Sequence, residues 1–257
     1  MFALDSLAFS NTVNLASNRD NVDILNGAYL GRKYVKSDGA FLMEFIKPNM
    51  SKNINNWDKI KRNGIYYQLD EKGHIVNNKL FEKPSSIQVL VPLPQRQVGI
   101  PVSFYGKSLM DLSSEDQIYS AWSQYFLIKV YDSDGEYKRA IYYPHDRKLL
   151  TQKSVKKSGA SKLLVDGMSK MNLPDHWPAL HSMLVDDQNR LWVSTIIADE
   201  KGYLWWVLNK EGELLARFLL PRNKEVKTIK NGYLYTQEKN DKGVSSIVKY
   251  KINMRRK

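Results

Sequence analysis

Short runs in which apolar and polar residues alternate recur along the chain, separated by turns bearing Gly, Asn, Asp or Pro. A period of two sends successive side chains to opposite faces, so each run reads as a β-strand. Three ungapped segments of sixteen residues share one pattern: KYVKSDGAFLMEFIKP (33–48), KVYDSDGEYKRAIYYP (129–144) and WVLNKEGELLARFLLP (206–221). Each has Gly at its seventh position (Gly39, Gly135, Gly212) and Pro at its sixteenth (Pro48, Pro144, Pro221). A fourth copy, YQLDEKGHIVNNKLFEKP (67–84), keeps Gly73 in register and places Pro84 two residues later. Glycine takes the positive φ that strains other residues in such turns. Proline cannot donate to a strand ladder and ends the unit. Each copy is therefore predicted to be a β-hairpin.

A second kind of hairpin accompanies the first. SLMDLSSEDQIYSAW (108–122) and SMLVDDQNRLWVST (182–195) run from a strand through a polar acidic turn into an aromatic strand. KTIKNGYLYTQEK (227–239) does so through Asn231-Gly232, a strong hairpin signal. Residues 108–144 and 182–221 thus each give four consecutive strands. Four antiparallel strands in ~40–45 residues is the blade pattern of a β-propeller. The predicted class is all-β, a single propeller domain over residues 1–257 with four-stranded antiparallel blades. About five blade-like units are readable, at roughly 1–48, 49–84, 101–144, 176–221 and 222–252. Residues 85–107 look irregular, broken by Pro92, Pro94 and Pro101, and residues 145–175 form an insertion in which SKLLVDGMSKM has helical character weakened by Gly167. The last unit holds only three strands, so residues from 2–12 are expected to supply its fourth.

Composition narrows the chemistry. The chain has no Cys, which excludes disulfides, thiolate metal sites, cysteine nucleophiles and lipid attachment through an N-terminal Cys. Its net charge of +12 favours contact with anions, but the basic residues are scattered into short blocks such as KIKR (59–62) and KSVKK (153–157). That spread reads as a solvated basic surface, and no specific nucleic-acid module is expected. No run approaches the ~18 apolar residues needed to span a bilayer. MFALDSLAFSNTV has neither the basic start nor the apolar core of a signal peptide.

IYSAWSQYFLIKVYDSDGEYKRAIYYP (118–144), HWPALHSMLVDDQNRLWVST (176–195) and GYLYTQEKNDKGVSSIVKYKI (232–252) resemble the six-bladed β-propeller proteins of Bacteroidota-type bacteria, of the NHL/TolB-like kind. The resemblance covers residues ~100–252 and implies a six-bladed ring and a cell-envelope, extracytoplasmic setting. The chain departs from that family in its five readable units and in lacking an export signal. Either a blade is hidden in the first hundred residues or the chain lacks an original N-terminal part.

Several residues invite a chemical reading. Asp186 and Asp187 form an acidic pair, but they fill the turn slot that holds Ser-Ser-Glu-Asp (113–116) in the parallel unit, where Asp bonds nearby backbone N–H groups. No DxDxDG calcium loop, GxSxG elbow, P-loop or GxGxxG is present. His176 and His181 would diverge from each other, and a zinc site would need a third ligand that no spacing selects. Trp192, Trp205 and Trp206 are expected to fill the space between blades. Strand ends and loops at a propeller mouth commonly bind. The candidate ligand-binding residues are therefore Tyr143, His145, Arg147, His176, Trp177 and His181. The expected function is a monomeric, non-catalytic binding or scaffold propeller without a cofactor, taking a protein or glycan ligand at one mouth. The alternative is a cation-dependent lactonase- or hydrolase-type propeller enzyme, which requires at least three Asp, Glu, Asn or His side chains converging on the channel. A third reading, non-specific polyanion binding, rests on the charge alone.

Overall fold

A computed structural model of the chain describes residues 27–47, 55–76, 79–158, 160–197, 201–240 and 242–254. The described residues form four antiparallel sheets, the blade arrangement of a β-propeller, with every sheet built from strands consecutive in sequence; this corrects the expectation of a six-bladed ring, since four blades stand among them. It divides into two compact units, residues 1–50 with 62–85 and residues 51–61 with 86–257.

In the first unit, β1 (Tyr29–Val35) pairs with β2 (Phe41–Lys47) through the Gly39 turn, and β2 pairs with β3 (Lys59–Leu69). Met43, Phe45 and Leu69 form its core. Glu44 on β2 is buried, and its Oε2 accepts the Arg32 backbone N–H at 3.2 Å. Glycines at 31 and 64 leave the space its carboxylate occupies.

β3 and β4 (Phe81–Leu93) run from one unit into the other, and β4 pairs with β5 (Arg96–Pro101). The strand order β1-β2-β3-β4-β5 is one five-stranded sheet, which corrects the sequence expectation of two units at 1–48 and 49–84. The stretch read as irregular is a regular hairpin, and Pro84 lies inside β4 and does not end a unit. A proline costs a strand only the one N–H it lacks, so a position that owes no ladder bond there accepts it.

The second unit carries three further sheets. They are β6 (Ser108–Leu112) to β9 (Tyr137–Tyr142), β10 (Leu180–Val185) to β13 (Leu214–Pro221), and β14 (Lys224–Lys230) to β16 (Ser245–Lys251). The intervening strands are β7 (Ile118–Trp122), β8 (Leu127–Tyr131), β11 (Leu191–Thr195), β12 (Gly202–Leu208) and β15 (Tyr233–Lys239). Alternation along these strands buries one set of side chains between neighbouring sheets. Tyr119, Ile128 and Val130 meet Leu180, Val193 and Trp206 in one core; Trp192, Trp205 and Val207 meet Ile229 and Leu234 in the next. The three tryptophans are thus interior, as their positions in the repeat implied. The third sheet has three strands, and the expected pairing of residues 2–12 with it lies outside the described residues.

The glycine turns are the repeat made visible. Gly39, Gly73, Gly135 and Gly212 all take φ between 84° and 96°. In three of these turns an Asp or Asn opening the turn accepts a backbone N–H from the residue four positions on: Asp70 from His74, Asp132 from Glu136 and Asn209 from Glu213. Asn240 and Gly243 make a fifth such turn that the sequence alignment did not include.

The inner turns tie sheet to sheet. Asp111 Oδ2 accepts the Val185 N–H at 2.7 Å, Asn189 Oδ1 accepts the Ser114 N–H at 2.8 Å, and Asp187 Oδ2 accepts the Asn231 N–H at 2.7 Å. In the insertion, α1 (Gln152–Lys157) is capped by Thr151, and α2 (Lys162–Gly167) is capped by Ser161 and runs into a 3₁₀ turn (Met168–Lys170). In the sequence α1 shows only as a basic block. Gly167 is required by packing: a Cβ there would overlap the Trp57 ring.

Candidate functional site

Asp186 is buried, and its Oδ1 accepts the Gln188 and Arg190 backbone N–H groups at 3.0 and 2.9 Å. Its Oδ2 accepts Arg190 Nε at 2.6 Å and Trp192 Nε1 at 2.8 Å. Ser113 occupies the equivalent slot, its Oγ accepting the Glu115 and Gln117 N–H groups, and Asp116 and Asn189 both have φ near 60°. A carboxylate with four donors on two oxygens has no lone pair directed at a substrate. Asp186 is a turn and core anchor, and Asp187 is the inter-sheet tie.

Chemistry gathers elsewhere in the second unit. A cavity of about 110 Å³ is lined by Tyr105, Lys107, Lys148, Trp177, His181, Tyr203 and Arg222, with hydroxyls from Ser103, Ser123 and Ser158 and apolar walls from Pro178, Leu180 and Ile196. That volume holds several waters or one small ligand group.

The walls are fixed by backbone bonds. The chain from Trp177 to Leu180 is held by Trp177 N–H to Lys148 O (2.8 Å), Leu180 N–H to Ser123 O (2.9 Å) and Ile196 N–H to Ala179 O (3.0 Å). Trp177 Nε1 donates to Ser154 Oγ at 3.0 Å, which ties the indole to α1. Tyr105 donates its hydroxyl to Asn172 O at 2.9 Å, and burial pushes that phenol up to about 12. Ser123 Oγ accepts the Lys107 N–H at 3.0 Å.

One wall is a stack. The His181 ring lies parallel to Tyr203, and the Arg222 guanidinium carbon stands 5.0 Å from the same tyrosine centroid. Burial, with the positive charge of Lys107 and Arg222 close by, pushes the His181 imidazole down to about 3. At neutral pH it is an uncharged ring with one donor and one acceptor nitrogen. Arg222 Nε is buried and has no hydrogen-bond partner among the described residues.

Of the six sequence candidates, Trp177 and His181 line this cavity. His145 stands behind its wall, with Nε2 3.4 Å from Ile196 O and its ring edge-on to Phe126, and burial lowers its pKa. Tyr143 packs on Phe126 and Trp206 and donates its hydroxyl to Gly212 O at 2.7 Å. Arg147 lies over the Tyr125 ring, 5.6 Å from its centroid. His176 bridges to Leu149 through the backbone.

Sequence reasoning missed Lys107, Lys148, Tyr203 and Arg222. One signal was available: Arg222 directly follows the unit-closing Pro221, as His145 follows Pro144. Among the described residues, no group of three or more His, Asp or Glu side chains stands close enough to hold a metal ion, and no helix is long and apolar enough to cross a membrane.

No family model matches the chain, and no curated protein matches it. Solved structures with a similar course of chain include a protein of unknown function from Bacteroides caccae (10% identity, TM-score 0.41, covering 88% of this chain and 64% of that one). A calcium-binding protein, regucalcin, from Agrobacterium tumefaciens is 12% identical with a TM-score of 0.40, covering 90% of this chain and 65% of that one. A member of the DUF4221 family from Bacteroides vulgatus is 10% identical with a TM-score of 0.32, covering 88% and 94%. The chain spans about two thirds of the length of the first two.

Proposed function

We propose that this protein is a non-catalytic binding propeller whose ligand enters the cavity walled by Trp177, His181, Tyr203 and Arg222. The observation that carries the reading is that cavity itself: aromatic walls held by backbone hydrogen bonds, with several polar groups converging on one small space. This is the general make-up of a small-molecule site. The single domain over residues 1–257, the monomeric state and the cell-envelope setting are part of the same proposal. They draw on the resemblance of residues ~100–252 and on the repeat of glycine turns.

The cation-dependent enzyme reading asks for convergent carboxylates or histidines. The cavity offers lysine and arginine instead, and its histidine is hemmed in by positive charge. That electrostatic setting disfavours a bound cation.

The test is a thermal-shift screen of the purified chain against a chemically diverse metabolite and oligosaccharide set, run beside a lactone and glycoside turnover assay. Stabilisation by a discrete ligand class without turnover is the expected result. Catalytic turnover of any member, or no stabilising ligand at all, overturns the proposal.

A further inference from the structure

The cavity's chemistry goes further than its shape. Its described lining carries three cationic side chains, Lys107, Lys148 and Arg222, and no acidic one. Arg222 Nε is a buried donor with no partner among the described residues, and a buried donor left unpaired is costly. Native structures tolerate such a group where a water, an ion or a ligand completes it. A guanidinium offers its donors in a planar fork that fits the two oxygens of a carboxylate or phosphoryl group. A cationic ligand would meet like charge, and a neutral one would leave the buried Nε of that fork without a charged partner. The stacked His181 stays uncharged near neutrality, so it offers a hydrogen bond without adding to the field. The aromatic and apolar walls suit the uncharged body to which such a group is attached.

We propose that the cavity seats one compact oxyanion, a carboxylate or phosphoryl group of a small ligand, against the Arg222 guanidinium, with Lys107 and Lys148 supplying the surrounding positive field. This rests on the binding reading above and specifies the class of ligand.

The experiment is isothermal titration calorimetry at low ionic strength with benzoate, inorganic phosphate and phenyl phosphate as oxyanion probes. Benzamide serves as the neutral match to benzoate. The proteins are the full chain and the variants Arg222→Gln, Lys148→Gln and Lys230→Gln; Lys230 is an exposed lysine on β14 outside the cavity lining. The expected result is saturable binding of at least one oxyanion and none of benzamide. Arg222→Gln should weaken it by roughly tenfold or more, Lys148→Gln severalfold, and Lys230→Gln not at all. Benzoate against the phosphates then tells which oxyanion is preferred. Circular dichroism confirms folding, and Lys148→Gln carries the test if Arg222→Gln does not fold. Benzamide binding as tightly as benzoate overturns the oxyanion inference and leaves the binding reading standing. Equal weakening by Arg222→Gln and Lys230→Gln also overturns it, because surface charge then explains the uptake. If no probe binds and the diverse screen is also silent, both readings fall.

Discussion

The imidazole of His181 lies flat on the phenol ring of Tyr203, with 3.9 Å between centroids and 11° between planes. The stack buries a titratable ring beside two cations, and the consequence is a pH dependence of stability. His181 is depressed to about 3 in the folded chain, against an ordinary value of 6.5. As pH falls, the unfolded chain takes up this proton first, so the contribution is whole above about 6.5 and is lost progressively down to about 3. The slope approaches about 1.4 kcal/mol per pH unit within that window. Asp111, raised to about 6 by burial, pulls the other way between its ordinary value and 6. Comparing wild type with His181→Phe cancels that term. Urea unfolding at pH 7 and pH 5 should show wild type losing about 1–2 kcal/mol more than the variant on acidification. Equal losses would contradict the burial of a neutral ring.

The two adjacent aspartates should behave very differently. Asp186→Ala strands the part-buried Arg190 guanidinium and the Trp192 indole N–H, and should cost about 3–5 kcal/mol. Asp187→Ala removes one exposed inter-sheet bond to Asn231 and should cost about 1 kcal/mol or less. Denaturant midpoints of the two variants, measured together, check the contrast.

Two glycine turns separate conformation from packing. Gly243 has φ +77° with open space where a Cβ would be, so Gly243→Ala should cost roughly 1–2 kcal/mol for the left-handed backbone alone. Gly212 has φ +96°, and its Cβ would press on Ile141. Gly212→Ala should therefore cost a further 1–3 kcal/mol, roughly, from overpacking. Thermal unfolding of both variants gives the comparison.

Tyr143 serves as a tie between sheets, through its hydroxyl on Gly212 O. Tyr143→Phe should lower stability by about 1 kcal/mol and leave uptake of any cavity ligand unchanged. A change in affinity without a change in stability would move Tyr143 into the site.

The repeat was legible because each hairpin must solve the same backbone problem. A left-handed position calls for glycine, and the residue that opens the turn must accept N–H groups, which selects Asp or Asn. Lys36 in the first copy departs from that rule. The join of the first two units was hidden because Pro84 and Pro92 look like strand breakers and yet sit within a thirteen-residue strand. α1 was masked by its charge, since KSVKK shows its helix only through the Thr151 cap. Trp177 and His181 were found because they cluster in sequence. Lys107 directly precedes β6, Tyr203 lies in β12 and Arg222 directly follows β13, and no local pattern joins residues so far apart.

The central claim, that this cavity is the binding site, is tested most directly by blocking it. Ser103 is exposed and lines the cavity, so Ser103→Trp should fill it without disturbing the buried walls. A ligand found in the screen, present at a hundred times its Kd, stabilises wild type by about 2.7 kcal/mol, a rise in Tm of roughly 5–10 °C. That rise is expected in wild type and is expected to be absent in Ser103→Trp. An equal rise in both proteins would place the binding site elsewhere.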